Sequence, residues 1–179
     1  MTPARTDDAD VLAIVDRSGS DEQWWATAGP RAAADVGTRP PNWEGGNPAE
    51  GADVTRQTIS TPDAPTSPFY SQGVKAGPQV FVSGTTGIDP STGHLAGDTI
   101  QAQTRQALTN CRAVLAAGGA SLDDVVEVGV LLAAPEDFAG MNEEYARWFP
   151  TDPPTRYAAK LGVEVPGLLV SIRMTAFTG

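Results

Sequence analysis

Arg156, in the run Pro153-Pro154-Thr155-Arg156-Tyr157, is the side chain of this sequence best suited to specific recognition. A guanidinium stays charged and presents a planar fork of donors, so inside a pocket it grips a small carboxylate at two points. Its local spacing alone fits an exposed loop arginine in a surface ion pair just as well. Few other residues offer chemistry. His94, the single histidine, lies in a glycine-flanked turn, and Cys111, the single cysteine, falls on an apolar helical face, so no ligand set with zinc-like spacing forms. Gly84, Gly87 and Gly93 lack the strand-to-helix spacing of a dinucleotide fingerprint. No metal and no cofactor are expected.

The chain of 179 residues has room for one domain with a real core, or for a smaller domain carrying a tail. Its net charge of -10, with no basic run, argues against nucleic acid as a partner, because such binding draws on clustered Lys and Arg. One cysteine allows no intrachain disulfide, and Met1-Thr2-Pro3-Ala4-Arg5 opens without the pattern of a secretory signal, which points to the cytoplasm. No apolar run approaches the roughly 18 residues of a membrane helix, so a soluble chain with no membrane partner is expected.

Residues 1–61 read as a largely irregular N-terminal extension rich in Ala, Gly, Pro, Asp and Thr, in which Trp24, Trp25 and Trp43 stand out. Trp24 or Trp25 could pin it to the body or to a neighbouring subunit. Residues 62–179 carry the patterning. Gln79-Val80-Phe81-Val82-Ser83-Gly84 reads as a strand, followed by a turn through Asp89-Pro90-Ser91-Thr92-Gly93-His94. Asp98 is placed to cap a helix in which Ile100, Thr104, Ala107, Leu108, Cys111, Val114 and Leu115 share one face, ended by Gly118-Gly119. A strand follows over Val125 to Leu132. A second helix begins near Pro135-Glu136-Asp137, carries Phe138, Met141, Tyr145, Trp148 and Phe149 on one face, and stops at Pro150, Pro153 and Pro154. In the last segment Val170, Ile172, Met174 and Ala176 alternate with Ser171, Arg173 and Thr175. The order, strand, helix, strand, helix, strand and strand, predicts an α+β layer, a sheet with two helices on its apolar face. Its polar face is left either to water or to symmetric association of subunits. Arg173 on that face is expected to pair with Glu127 or Glu164.

Phe81-Val82-Ser83-Gly84, Asp89-Pro90-Ser91-Thr92-Gly93, Gln103-Thr104-Arg105-Gln106-Ala107-Leu108-Thr109-Asn110, Asp137-Phe138-Ala139-Gly140-Met141-Asn142-Glu143-Glu144-Tyr145 and Pro153-Pro154-Thr155-Arg156 stand in the order and spacing of a known family. Over roughly Pro65 to Phe177 the chain resembles the Rid family of enamine/imine deaminases, also called the YjgF family. That resemblance implies a chorismate-mutase-like fold with a mixed β-sheet, assembled as a homotrimer with active sites in clefts between subunits. It places Arg156 where the family's deaminases bind the carboxylate of 2-aminoacrylate and related 2-imino acids. Tyr70 matches the family's pocket tyrosine, Ser83 and Gly84 its pocket Ser-Gly, and Asn142 its helix asparagine, although on local pattern alone Asn142 is a plain helix-surface amide. Thr85 stands where members commonly have Gln. Ala158 stands where many have Cys, whose backbone carbonyl is the implicated group.

One departure bears on catalysis. The last strand of deaminating members usually reads Val-Glu-Ile-Glu, with the first glutamate positioning the attacking water, whereas this chain reads Val170-Ser171-Ile172-Arg173. A serine holds water by hydrogen bonds but is a poor base near neutrality. The expected function is hydrolysis of a small 2-imino acid to the 2-keto acid and ammonia. Arg156 would orient the substrate, and Ser171, the carbonyl near Ala158 and Tyr70 would place the water. The alternatives are a non-hydrolytic protein that binds keto or imino acids in the same cleft, and a pathway-specific tailoring enzyme. A ribonuclease, a label some relatives carry, is disfavoured by the acidic balance.

Overall fold

Val170, Ile172, Met174 and Ala176 alternate along the final segment, and all four are buried in the computed structural model of the chain, which describes residues 55–179. They lie on a strand, Val170–Phe177, that runs through the middle of a sheet. In chain order the strands are β1 (Arg56–Ile59), β2 (Gly73–Ala76), β3 (Gln79–Thr86), β4 (Val125–Leu132), β5 (Thr155–Lys160) and β6 (Val170–Phe177). They form one six-stranded sheet in the order β1-β2-β3-β6-β4-β5. Every pairing is antiparallel except β4 with β5. Parallel neighbours need a crossover, and helix α2 (Phe138–Trp148) supplies it. Helix α1 (Ile100–Ala117) packs on β3, β6 and α2. The mixed sheet with its two helices is the expected α+β arrangement.

The α1 face read from the sequence is the core face. Ile100, Thr104, Ala107, Leu108, Cys111, Val114 and Leu115 are all buried, and they meet Val80, Val82, Val128, Val130, Ile172 and Met174 of the sheet in one cluster with Met141 and Tyr145 of α2. Each fully buried aliphatic side chain there contributes about 1.5–3 kcal/mol. The start of α1 differs from the expectation. Thr99, extended at φ -103° and ψ 146°, is the capping residue, and its hydroxyl accepts from the Ala102 N–H at 3.2 Å. Asp98 lies one residue too early to reach those donors. Gly118 ends the helix as expected. Lys75 Nζ donates to its carbonyl at 3.0 Å, placing a cation at the negative end of the helix dipole.

Two strands were not evident in the sequence. The expected extension 1–61 falls mostly on residues before 55, outside those described, with Trp24, Trp25 and Trp43 among them. Its last part, Arg56–Ile59, forms β1 at the sheet edge. β2 joins β3 by a two-residue turn in which Gly77 has φ 57°, a left-handed conformation open to glycine.

The other face of the sheet carries no helix. Arg173 and Glu127 pair across it at 3.7 Å, one of the two pairings expected. It is less polar than β6 alone suggests, because Phe81 and Phe177 lie on it, 37% and 49% exposed, and Tyr157 lies across Gly129 in the space a side chain there would fill. Among the described residues no helix is long and apolar enough to cross a membrane.

Candidate functional site

Arg156 sits in β5 opposite Val128 of β4, and Val128, Val130 and Leu132 point into the core, so Arg156, Ala158 and Lys160 share the helix-bearing face. There α2 presents Phe138, Met141 and Tyr145 at helical spacing. The Arg156 guanidinium lies 4.6 Å from the centre of the Tyr145 ring and 5.9 Å from that of Phe138, with Nη1 4.0 Å from Met141 Sδ. No carboxylate among the described residues pairs with it. Asn142, half-buried, stands four residues after Phe138 on the flank of the same surface. Just beyond, Leu132, Pro135, Phe138, Ala158, Ala159 and Lys160 line a largely apolar cavity of about 400 Å³.

A second group forms around an irregularity in β3. The register of β3 against β6 shifts between Val82 and Thr85, which takes Ser83 and Gly84 out of the ladder. Tyr70, Ser83, Gly84 and Thr85 line a small cavity of about 20 Å³ together with Gln72. Ser83 Oγ donates to the Ser71 carbonyl at 2.6 Å and Thr85 Oγ1 to the Ser83 carbonyl at 2.8 Å. Ser171, opposite Thr86 and Leu131, points to the helix-free face. A side-chain carbon on Gly84 would come within 3.1 Å of Ser171 Oγ, so the glycine keeps the space above this hydroxyl open. Ser171 Oγ has no partner among the described residues.

One chain therefore gathers Tyr70, Ser83, Gly84, Thr85 and Ser171 in one place, and Arg156, Asn142 and Ala158 in another. Ser171 lies on the helix-free face, opposite to Arg156 and Ala158, whereas Thr85, level with the core residue Ile172, is turned toward α1. No single protomer presents Arg156 and Ser171 to the same small molecule.

Two buried amides that hold these groups escaped the sequence reading. Gln72 ties down the segment ahead of Tyr70, accepting from Thr61 N at 2.7 Å and donating to the carbonyls of Thr61, Ala64 and Pro65. Gln103 on α1 donates to the Gly97 and Gly167 carbonyls at 2.9 and 2.8 Å and accepts from Leu169 N at 2.9 Å, which fixes the chain entering β6 two residues before Ser171. Gln103 stands in one of the family motifs, but Gly167 and Leu169 lie more than sixty positions away and leave no local trace.

Burial pushes the Cys111 thiol up to about 12, so it stays protonated and unreactive. His94 is an exposed loop residue, as expected. Glu144, with 3% of its side chain exposed, accepts from Arg105 Nε and Nη2 at 2.9 and 2.8 Å and from Trp148 Nε1 at 3.3 Å, with Arg147 at 3.4 Å. The Arg105 hydrogen bonds hold its carboxyl below the usual range. A depressed carboxylate contributes stability that is present above the unfolded pKa and lost as pH falls through the folded one. Glu144→Gln is thus expected to lower the urea midpoint relative to the unmutated chain at pH 7, with the gap narrowing at pH 3. A gap that stays constant across that range would show that Glu144 acts through packing alone.

Comparison with known proteins matches these features to one family. A family profile described as "Endoribonuclease L-PSP" matches residues 59–178. A RutC family protein of Pyrococcus horikoshii is 41% identical over 124 residues, covering 68% of this chain and 98% of the relative. A 2-iminobutanoate/2-iminopropanoate deaminase of Mus musculus is 35% identical over 127 residues, covering 70% of this chain and 94% of its own. Among solved structures, RidA from an Antarctic Psychrobacter is 37% identical with a TM-score of 0.64, covering 68% of this chain and 98% of that one.

Proposed function

Because this chain belongs to the endoribonuclease L-PSP family, the family of the Rid proteins, we propose that it hydrolyses small 2-imino acids and their enamine tautomers to 2-keto acids and ammonia. The observation that carries the reading is Arg156: a cation on an aromatic ledge with no carboxylate partner among the described residues. Its fork takes the substrate carboxylate and fixes the C=N carbon beside it, which lowers the entropic part of the barrier. Water adds its oxygen to that carbon and its proton to the nitrogen. The resulting carbinolamine then collapses, the C–N bond breaks, and ammonia leaves as the carbonyl forms. Ser171, Tyr70 and the carbonyl at Ala158 hold the water in this reading.

Since Arg156 and Ser171 face opposite sides of one sheet, the reading requires two copies of the chain to share a site. A homotrimer joined through the helix-free faces, with clefts between subunits, supplies that arrangement. The exposed Phe81, Tyr157 and Phe177 on that face support it. The ribonuclease named in the family description is a poor fit to a chain with a net charge of -10. A second reading, binding without hydrolysis, is favoured by Ser171, which is no base near neutrality.

The test is to generate 2-aminoacrylate from serine with a pyridoxal-phosphate dehydratase, after light scattering has shown an assembly of three 18.6 kDa chains. Keto acid and ammonia should form faster than in buffer, and the pyridoxal-phosphate enzyme should be protected. Equal rates with and without the folded trimer would exclude deamination of this substrate and leave the binding reading.

A further inference from the structure

Three of the other described arginines are held by carboxylates: Arg105 and Arg147 by Glu144, Arg147 also by Glu143, and Arg173 by Glu127. Arg156 belongs to another kind, like Arg112, which lies over the Trp148 ring at 5.2 Å. The Arg156 guanidinium lies 4.6 Å from the Tyr145 ring centre, and Phe138 at 5.9 Å is both more distant and 43% exposed. Tyr145 is 6% exposed, and its ring is fixed against Phe149 at 4.8 Å between centres, so it is a rigid surface within the core. An aromatic face attracts a cation through its quadrupole and leaves the N–H donors unengaged. A carboxylate in the same position would occupy those donors and compete with a ligand's own carboxylate.

We infer that Tyr145 is a positioning residue for Arg156: its ring takes the place of an acidic counter-ion, holding the guanidinium in line while its fork stays free for the carboxylate of the ligand. This rests on the reading of Arg156 as the carboxylate-binding group. The ring carries the role, and the hydroxyl does not. Tyr145 Oη is buried with no hydrogen-bond partner among the described residues, and burial raises the phenol's pKa, so the side chain stays neutral and attracts Arg156 by its face. An unsatisfied buried hydroxyl is a liability, so Tyr145→Phe should fold as well as the unmutated chain or better.

The experiment compares the unmutated chain with Tyr145→Phe, Tyr145→Leu and Arg156→Ala as assembled protein. The Arg156 Nε–H resonance reports the ring current, and titration with 2-oxobutanoate reports carboxylate binding. The resonance should be ring-shifted in the unmutated chain and in Tyr145→Phe, and should lose that shift in Tyr145→Leu. The Kd for 2-oxobutanoate should rise about tenfold in Tyr145→Leu and stay within about twofold in Tyr145→Phe. In any hydrolysis assay the change should fall on KM, with kcat nearly unmoved.

An unshifted resonance in the unmutated chain overturns the proposal, even where Tyr145→Leu fails to fold. So does Arg156-dependent binding that Tyr145→Leu leaves intact, or that Tyr145→Phe weakens as much as Tyr145→Leu does. Equal binding by the unmutated chain and Arg156→Ala overturns the carboxylate reading and this proposal with it. Binding weakened by Tyr145→Leu without any hydrolysis upholds the proposal and overturns deamination alone.

Discussion

Arg156→Ala is expected to lower kcat/KM for 2-imino acids by about 10²- to 10³-fold, because truncating one partner of a close charge pair removes several kcal/mol. The loss should appear in both constants, since the arginine binds the carboxylate and also orients the carbon under attack. The fold should survive. Arg156 lies on an edge strand and makes no ion pair among the described residues, so the variant forfeits only its contacts with Tyr145, Phe138 and Met141. A melting temperature within a few degrees of the unmutated chain is the control. Arg156→Lys should fall between, keeping the charge without the two-point geometry. An Arg156→Ala chain with unchanged kcat/KM would remove the basis of the carboxylate reading.

The second large effect is a gain. Ser171→Glu is expected to raise kcat by about 10²-fold, at the low end of what a positioned general base contributes. Room for the longer side chain exists because Gly84 leaves the space above Ser171 empty. The new carboxylate would have no cation from its own protomer beside it on β6 except Arg173, which Glu127 already engages. Its pH profile should therefore show an acidic limb, with activity falling as the glutamate protonates. A rate equal to that of the unmutated chain would mean that another group already activates the water. A folded Ser171→Glu trimer with no activity would favour a protein that binds without hydrolysis.

Much of the scaffold could be read in advance because its signals are local. The seven α1 positions recur at helical spacing and are all buried, and the β6 alternation sorts core from open face residue by residue. The Arg173 pairing followed from adjacent strands. What escaped was short or distant. β1 and β2 are four residues each, too brief for a period to show, and β1 is largely exposed. Asp98 and Thr99 are both good caps by type, and only the backbone turn decides between them. Gln103 bonds residues more than sixty positions away, so its role is invisible without the fold. Arg156 stood out in the sequence by its chemistry and its motif. The aromatic ledge beneath it did not, since Tyr145 reads simply as one more apolar residue of the α2 face. The separation of Arg156 from Ser171 depends on which way each strand faces, and that emerges only from the register.

The strand order also dictates how the sheet is assembled. β1, β2 and β3 can form a meander on their own, and β4 with β5 can close around α2, but β3 and β4 never touch as neighbours; β6, last in sequence, is inserted between them. Until it arrives the sheet is two halves with open edges, joined only through α1, which packs on β3 and on α2. The contacts of β6 with β3 span a long stretch of sequence, and such long-range pairing favours slow folding. While β6 is undocked, the open edges of β3 and β4 are templates for pairing with other chains.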